Sequence, residues 1–230
     1  VGNTTYFASC SIGISMYPND GVEPGLLIQR ADTAMYEAKR RGKNTFALFQ
    51  PDLEIEVQEK LKIESALREA ISQDKLAVFF QNKVDLTTGQ VKFIEAFVRW
   101  PLDGGKALSP DEFIPVAEEA GMVHLISEWM IERVFSTLEH WPADSGQRIP
   151  VSINLSSLDF QQPTLADFVL ASMKNHKLAG EDIIFEVQES VFLQDLGAVK
   201  RTFEKMGAQG IRFAIDDFGT GNSSLKYLQL

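Results

Sequence analysis

The chain has a single cysteine, Cys10, in 230 residues, so no disulfide can form within it, and that usage suits a reducing compartment. No apolar run approaches the roughly 18–20 residues that a membrane helix needs, and no signal-peptide pattern opens the sequence. These absences lead us to expect a cytoplasmic segment, with any membrane anchor left to a longer parent protein. Basic residues are the minority, 22 against 32 acidic ones, for a net charge of −10 and a pI near 4.8. With no long basic stripe, duplex nucleic acid is excluded as a partner. A small phosphorylated ligand is not, because a metal ion offsets carboxylates locally. Histidine is scarce: His124, His140 and His176 fall on expected helices or loops, and all three read as structural.

Hydrophobic residues make up 44% of the chain, enough for a sizeable core. Residues 6–15 read as a strand and residues 18–21 as a turn. Leu26, Leu27, Ala31, Ala34, Met35 and Ala38 then recur at helical spacing before Gly42. Residues 45–49 close this region with another strand. One helix and two strands are too little for an independent domain, so 1–49 reads as the tail of something larger. Over 50–75, Leu53, Val57, Leu61, Ala66, Leu67 and Ala70 fall on one face of a charged helix. That helix is either a linker or the first helix of the next domain.

From residue 76 onward strands alternate with helices. The expected strands are 76–81, 91–98, 149–154, 183–187 and 211–215, and the first two form a hairpin across Thr87-Thr88-Gly89. Helices are expected near 111–119, 124–139, 164–175 and 195–206. The pattern predicts a parallel sheet with helices outside, an α/β fold of the TIM-like barrel kind.

Polar residues interrupt these strands in a telling way. Glu95, Asn154, Glu186 and the adjacent pair Asp216–Asp217 each sit in, or at the end of, a different apolar strand. Each has an ordinary explanation when taken singly: a rim acid, a turn former, an ion-pair partner, a cap for the next helix. Together they are harder to explain, since an apolar strand has little reason to carry an acid. In a β/α barrel the strand ends converge on one mouth. Oxygen ligands from four strands would suit a hard cation such as Mg²⁺ or Mn²⁺, and the lack of histidine there argues against zinc or iron.

Two resemblances rest on specific motifs. Ser11-Ile12-Gly13-Ile14 and Ala31-Asp32-Thr33-Ala34-Met35-Tyr36-Glu37-Ala38-Lys39-Arg40-Arg41-Gly42-Lys43-Asn44 resemble the end of a GGDEF domain, the diguanylate cyclase fold. The signature loop of that family is absent, so this segment is expected to make no cyclic di-GMP. Lys39 and Lys43 match positions that touch triphosphate in that family, but here they read better as a solvated basic helix end that complements the dipole. Glu95-Ala96-Phe97-Val98-Arg99-Trp100, Pro110-Asp111-Glu112-Phe113-Ile114-Pro115-Val116-Ala117-Glu118, Asn154-Leu155-Ser156, Phe185-Glu186-Val187-Gln188-Glu189-Ser190 and Asp216-Asp217-Phe218-Gly219-Thr220-Gly221 resemble an EAL domain. That family opens cyclic di-GMP to linear pGpG. The division implied is 1–49 GGDEF remnant, 50–75 linker helix and 76–230 EAL domain, its first strand antiparallel.

The EAL resemblance implies roles. Glu95, Asn154, Glu186, Asp216 and Asp217 would hold two Mg²⁺ or Mn²⁺ ions, with Glu95, Asp216 and Asp217 counted among the catalytic groups. Arg99 would meet a substrate phosphate and Gln81 the ligand. Glu189 would steady the loop carrying Asp216 and Asp217, close to the family's dimer contact, so a homodimer could tune metal binding. An upstream sensor domain is implied in the parent. The sequence also departs from the family: Phe97 stands where leucine is usual, Asn82 follows Gln81 in place of proline, Asn222 replaces a common tyrosine, and Ser157-Leu158-Asp159 is atypical.

The family's catalytic lysine, a further ligand glutamate and a late glutamine belong to later strands. A barrel of this kind takes about 250 residues, more than 76–230 supplies. The expectation is a truncated barrel, inactive as it stands, from a parent that is a metal-dependent phosphodiesterase. The alternative is a degenerate receptor that binds cyclic di-GMP without hydrolysing it. A kinase reading of Asp217-Phe218-Gly219 fails, since neither a glycine-rich loop with a strand lysine nor a His-Arg-Asp loop accompanies it.

Overall fold

A computed structural model describes residues 9–102, 104–141, 148–193 and 196–218. The expected strand at Tyr6-Phe7-Ala8, the Gly219–Gly221 loop and Asn222 lie outside the described residues. The chain divides into two compact units, Val1–Ala66 and Leu67–Leu230.

In the first unit, β1 (Ile12–Ile14) and β2 (Phe46–Leu48) pair in parallel across helix α1 (Pro24–Arg40). Gly13 is required where β1 meets α1, since a Cβ there would lie 1.8 Å from the Ala31 carbonyl oxygen. Ala34, Ala38, Ala47 and Phe49 form the core. Glu37 is buried and paired with Arg40 and Arg41. Lys39 and Lys43 are exposed, Lys39 in the last turn of α1 and Lys43 beyond it.

Helix α2 spans Pro51–Ser72. Leu53, Leu67 and Ala70 are buried as its pattern predicts. Leu61 and Ala66 are exposed, so the single apolar face expected over 50–75 is not continuous.

The second unit is built on the sheet β3 (Ala77–Val84), β4 (Val91–Pro101), β6 (Val151–Leu155), β7 (Ile183–Gln188) and β8 (Arg212–Asp216), in that order. A two-residue strand, β5 (Ala107–Leu108), pairs with β4 and escaped prediction, being too short for any periodicity. Strand β3 runs antiparallel to β4, while β4, β6, β7 and β8 are mutually parallel. Helices α3 (Pro110–Glu119) and α4 (Val123–His140) lie between β4 and β6, α5 (Leu165–Asn175) between β6 and β7, and α6 (Leu196–Gly207) between β7 and β8. Ser109 starts α3 with a capping box: its hydroxyl accepts from the Asp111 amide, and its own amide donates to Glu112.

Strand alternation sorts the sheet into two faces. Val151, Ile153, Ile183, Phe185 and Val187 are buried on one face. Phe203 of α6 meets Phe213 edge-on on the same side, at 4.2 Å between ring centroids, which marks it as the face the helices cover. The registers put Gln81, Lys83, Glu95, Arg99, Ser152, Asn154, Glu186, Gln188 and Asp216 on the opposite face.

Candidate functional site

The polar face is a staircase. Glu95 sits opposite Ser152, so Asn154 stands two residues further along β6. Asn154 is directly opposite Glu186. Glu186 faces Ala214, so Asp216 is again two residues further on. Diagonal neighbours at this offset lie within reach of long side chains. Accordingly Asn154 Nδ2 donates to Glu95 Oε1 at 3.0 Å, which leaves the amide oxygen to face a cation. Glu95 is 5% exposed and Glu186 8%.

Charge ties the set together. Burial, opposed by the Ser152 hydroxyl, pushes the Glu186 carboxyl above its ordinary range, and the charges of Glu95 and Asp216 push it further the same way. Lys83 is held above its ordinary value, first by its bond to Glu95 and then by the fields of Glu95, Glu186 and Asp216. The Lys83 ammonium lies 2.5 Å from Glu95 Oε2. Sequence reasoning passed over Lys83, although it follows Gln81 by two and so shares its face.

The other expected residues are placed unevenly. Gln81 pairs with Glu95 in register and is exposed. The Arg99 guanidinium lies 5.3 Å from the Phe97 ring centroid and 6.0 Å from that of Phe79, and it donates to the Val98 carbonyl. Asp216 Oδ1 accepts the Asp217 amide at 3.0 Å, and Asp217 has φ 50°. That bond is the turn-capping role weighed for this pair. Glu189 opens the short 3-10 helix Glu189–Leu193 after β7 and is half-buried.

A cavity of about 390 Å³ opens at the strand ends, lined by Phe97, Glu118, Asn154, Ser156, Gln188 and Asp216 among others. A larger hollow of about 780 Å³ lies beside α6, but its lining includes Arg201 and Lys205 and no carboxylate. Of the two, the smaller cavity is the one that two of the donors, Asn154 and Asp216, line. Among the described residues, no three histidine, cysteine, aspartate or glutamate side chains converge into a ready metal cluster. The donor chemistry still fits a hard cation: the set is all oxygen, and the charges of Glu95 and Asp216 lie close enough to raise the proton affinity of Glu186. Lys83 supplies the positive charge at Glu95. Among the described residues, no helix is long and apolar enough to cross a membrane.

An antiparallel leading strand, followed by parallel β/α units and a polar face of strand-end donors, is the architecture of a TIM-like barrel of the EAL type. The chain belongs to the EAL domain family, whose model matches residues 64–230. A second model, "Diguanylate cyclase, GGDEF domain", matches residues 1–45. The chain is 35% identical to the bifunctional diguanylate cyclase/cyclic di-GMP phosphodiesterase MucR of Pseudomonas aeruginosa, over 96% of its own length and 32% of that protein. It is 31% identical to the cyclic di-GMP phosphodiesterase PdeR of Escherichia coli, over 99% of its own length and 34% of that protein. It therefore spans about a third of the length of these curated relatives. Among solved structures, a cyclic di-GMP complex of the PaMucR phosphodiesterase matches with TM-score 0.67 at 32% identity, covering 73% of this chain and 68% of that one.

Proposed function

We propose that the chain carries the phosphodiesterase part of a GGDEF–EAL protein and that its site hydrolyses cyclic di-GMP to linear pGpG with Mg²⁺ or Mn²⁺. One observation carries this reading. Glu95 and Asn154, 59 residues apart in sequence, meet at 3.0 Å beside Glu186 and Asp216. The named activities of MucR and PdeR support it.

In this reading Glu95, Asn154, Glu186, Asp216 and Asp217 hold the ions. When bound, the ions would lower the pKa of the attacking water and neutralise charge on the phosphate. The chain's own residues bind and orient the substrate. Arg99, steadied against Phe97 and Phe79, presents its guanidinium to a phosphate oxygen. Gln81 lies across from Glu95 on the same face and orients the ligand by hydrogen bonding. The cavity at the strand ends receives the dinucleotide. Glu189 steadies the turn after Asp216, and a homodimer through this domain would couple assembly to that turn.

The test is cyclic di-GMP turnover with Mn²⁺ by the full-length parent protein, since these 230 residues alone are expected to be inactive, beside Glu95→Ala and Arg99→Ala. Glu95→Ala should abolish turnover and Mn²⁺ binding together, while Arg99→Ala should raise KM with Mn²⁺ affinity unchanged. Turnover surviving Glu95→Ala would end the reading.

A second reading, a receptor that binds cyclic di-GMP without cutting it, is favoured by one observation: Lys83 already balances Glu95. Tight cyclic di-GMP binding by the full-length parent protein, with no product at any Mn²⁺ concentration, would establish it.

A further inference from the structure

Asp159 is 1% exposed and lies outside the set of strand-end donors. It begins the 3-10 turn Asp159–Gln161, where the chain leaves β6 for α5. One oxygen, Oδ2, accepts two bonds at 2.8 Å each, from the Ser127 hydroxyl of α4 and from the Ser156 backbone amide. The other oxygen, Oδ1, is buried with no partner. Leaving a carboxylate oxygen unsatisfied inside a protein is costly, so the residue calls for an explanation beyond packing.

Its neighbours supply one. The Ser156 hydroxyl donates to Glu118 Oε1 of α3 at 2.5 Å, and the Ser156 carbonyl accepts the Asp159 amide at 3.0 Å. Ser156 is thus fastened through its amide and carbonyl by Asp159 of the following turn and through its side chain by Glu118 of α3, and Asp159 is in turn held by Ser127 of α4. Asn154, which bonds Glu95, stands two residues earlier on the same strand end. Displacing Ser156 displaces Asn154 with it. A ligand donor must be held to within about half an ångström to serve, and Asn154 itself is exposed, so its neighbours hold it.

We propose that Asp159, acting through Ser156 with Ser127 and Glu118, is a positioning residue that holds the Asn154 amide against Glu95 in the geometry a divalent cation needs. The proposal rests on the phosphodiesterase reading of the same site. It concerns hydrogen bonds, so an asparagine, which keeps a carbonyl oxygen for both donors, should substitute for the aspartate, and an alanine should not.

The experiment is Mn²⁺ titration of the full polypeptide followed by electron paramagnetic resonance, with thermal unfolding in parallel. Asp159→Ala should bind Mn²⁺ about 10-fold more weakly, the loss typical of a supporting contact behind a metal ligand. Asp159→Asn should stay within about 3-fold of the wild type, and Ser127→Ala should lose about 3-fold, having lost one of the two bonds. A folded Asp159→Ala protein with wild-type affinity overturns the proposal, as does an Asp159→Asn protein as weak as the alanine variant. If Asp159→Ala shows no cooperative unfolding transition, Ser127→Ala decides, and unchanged Mn²⁺ binding there overturns it. Wild-type protein that binds no Mn²⁺ sinks the functional reading and this inference with it. Binding that Glu95→Ala abolishes and Asp159→Ala leaves intact sinks this inference alone.

Discussion

Lys83 and Glu95 form an ion pair of 2.5 Å on the polar face, the lysine side chain 42% exposed and the glutamate side chain 7%. The lysine supplies locally the positive charge that a divalent cation would bring. Removing it has two opposite effects. Lys83→Met should tighten Mn²⁺ binding about five-fold, the equivalent of roughly 1 kcal/mol, since Glu95 no longer exchanges one cation for another. The same variant should melt earlier without metal, because a buried carboxylate loses its partner. Titration and thermal unfolding read the two effects, and weaker Mn²⁺ binding would mean that Lys83 supports the ion.

Asp159 makes stability fall as pH rises. Burial pushes its carboxyl from 3.8 up to about 6, against the pull of Ser127, Ser156 and His124, with Glu118 adding to the push. Folding therefore disfavours the ionised form. The cost, about 3 kcal/mol for a change of this size, is present in full above pH 6. It fades as pH falls towards 3.8 and is absent below that. Asp159→Asn should be more stable than wild type at pH 7.5, with the gap closing towards pH 4. Urea unfolding across that range checks it; parallel curves would contradict it.

His176 behaves differently. Its ring nitrogens lie 3.0 Å from Glu139 and 3.2 Å from Glu132, joining the end of α5 to α4. The bond to Glu139 is the main cause holding its pKa above the ordinary 6.5. The stabilisation is complete below 6.5 and is lost as pH rises through the higher folded value. The stability difference between wild type and His176→Gln should be greatest near pH 6 and vanish in alkali. A difference that grows with pH would refute the ion pair.

Gly13→Ala tests the contact between β1 and α1. Its new methyl would lie 1.8 Å from the Ala31 carbonyl oxygen and 2.2 Å from the Met35 amide nitrogen, both backbone atoms that cannot turn aside. A loss of about 1–3 kcal/mol or more is expected from such overpacking. Gly25→Ala, with nothing within 4 Å of its Cβ, is the control and should be close to neutral. Limited proteolysis within residues 9–50 distinguishes the two.

Much of this was legible in the sequence for a simple reason. Each long strand of the second unit is an apolar run, so an acid or amide within it stands out, and Glu95, Asn154, Glu186 and Asp216 were found that way. Lys83 was not, because a lysine in a strand reads as solvent-facing. Only the register with β4, which brings its long side chain to Glu95, shows otherwise. Asp159 was invisible for a related reason: its burial depends on Ser127, 32 residues away on another helix. Leu61 fitted a helical apolar pattern and is 53% exposed. Periodicity fixes which residues share a side of a helix, and tertiary contacts decide whether that side is covered.

The reversed direction of β3 sets where the polypeptide enters the barrel. Ala77 lies opposite Arg99, so β3 begins at the lip where β4 ends and descends towards the floor. Just before that point Asp74 is tied to α4, accepting from Trp129 Nε1 at 2.8 Å and pairing with Arg133. The chain ahead of Leu76 thus enters the sheet beside Arg99, with Asp74 anchoring that entry to α4. Had β3 run the other way, that entry would lie at the far end of the sheet, away from Arg99.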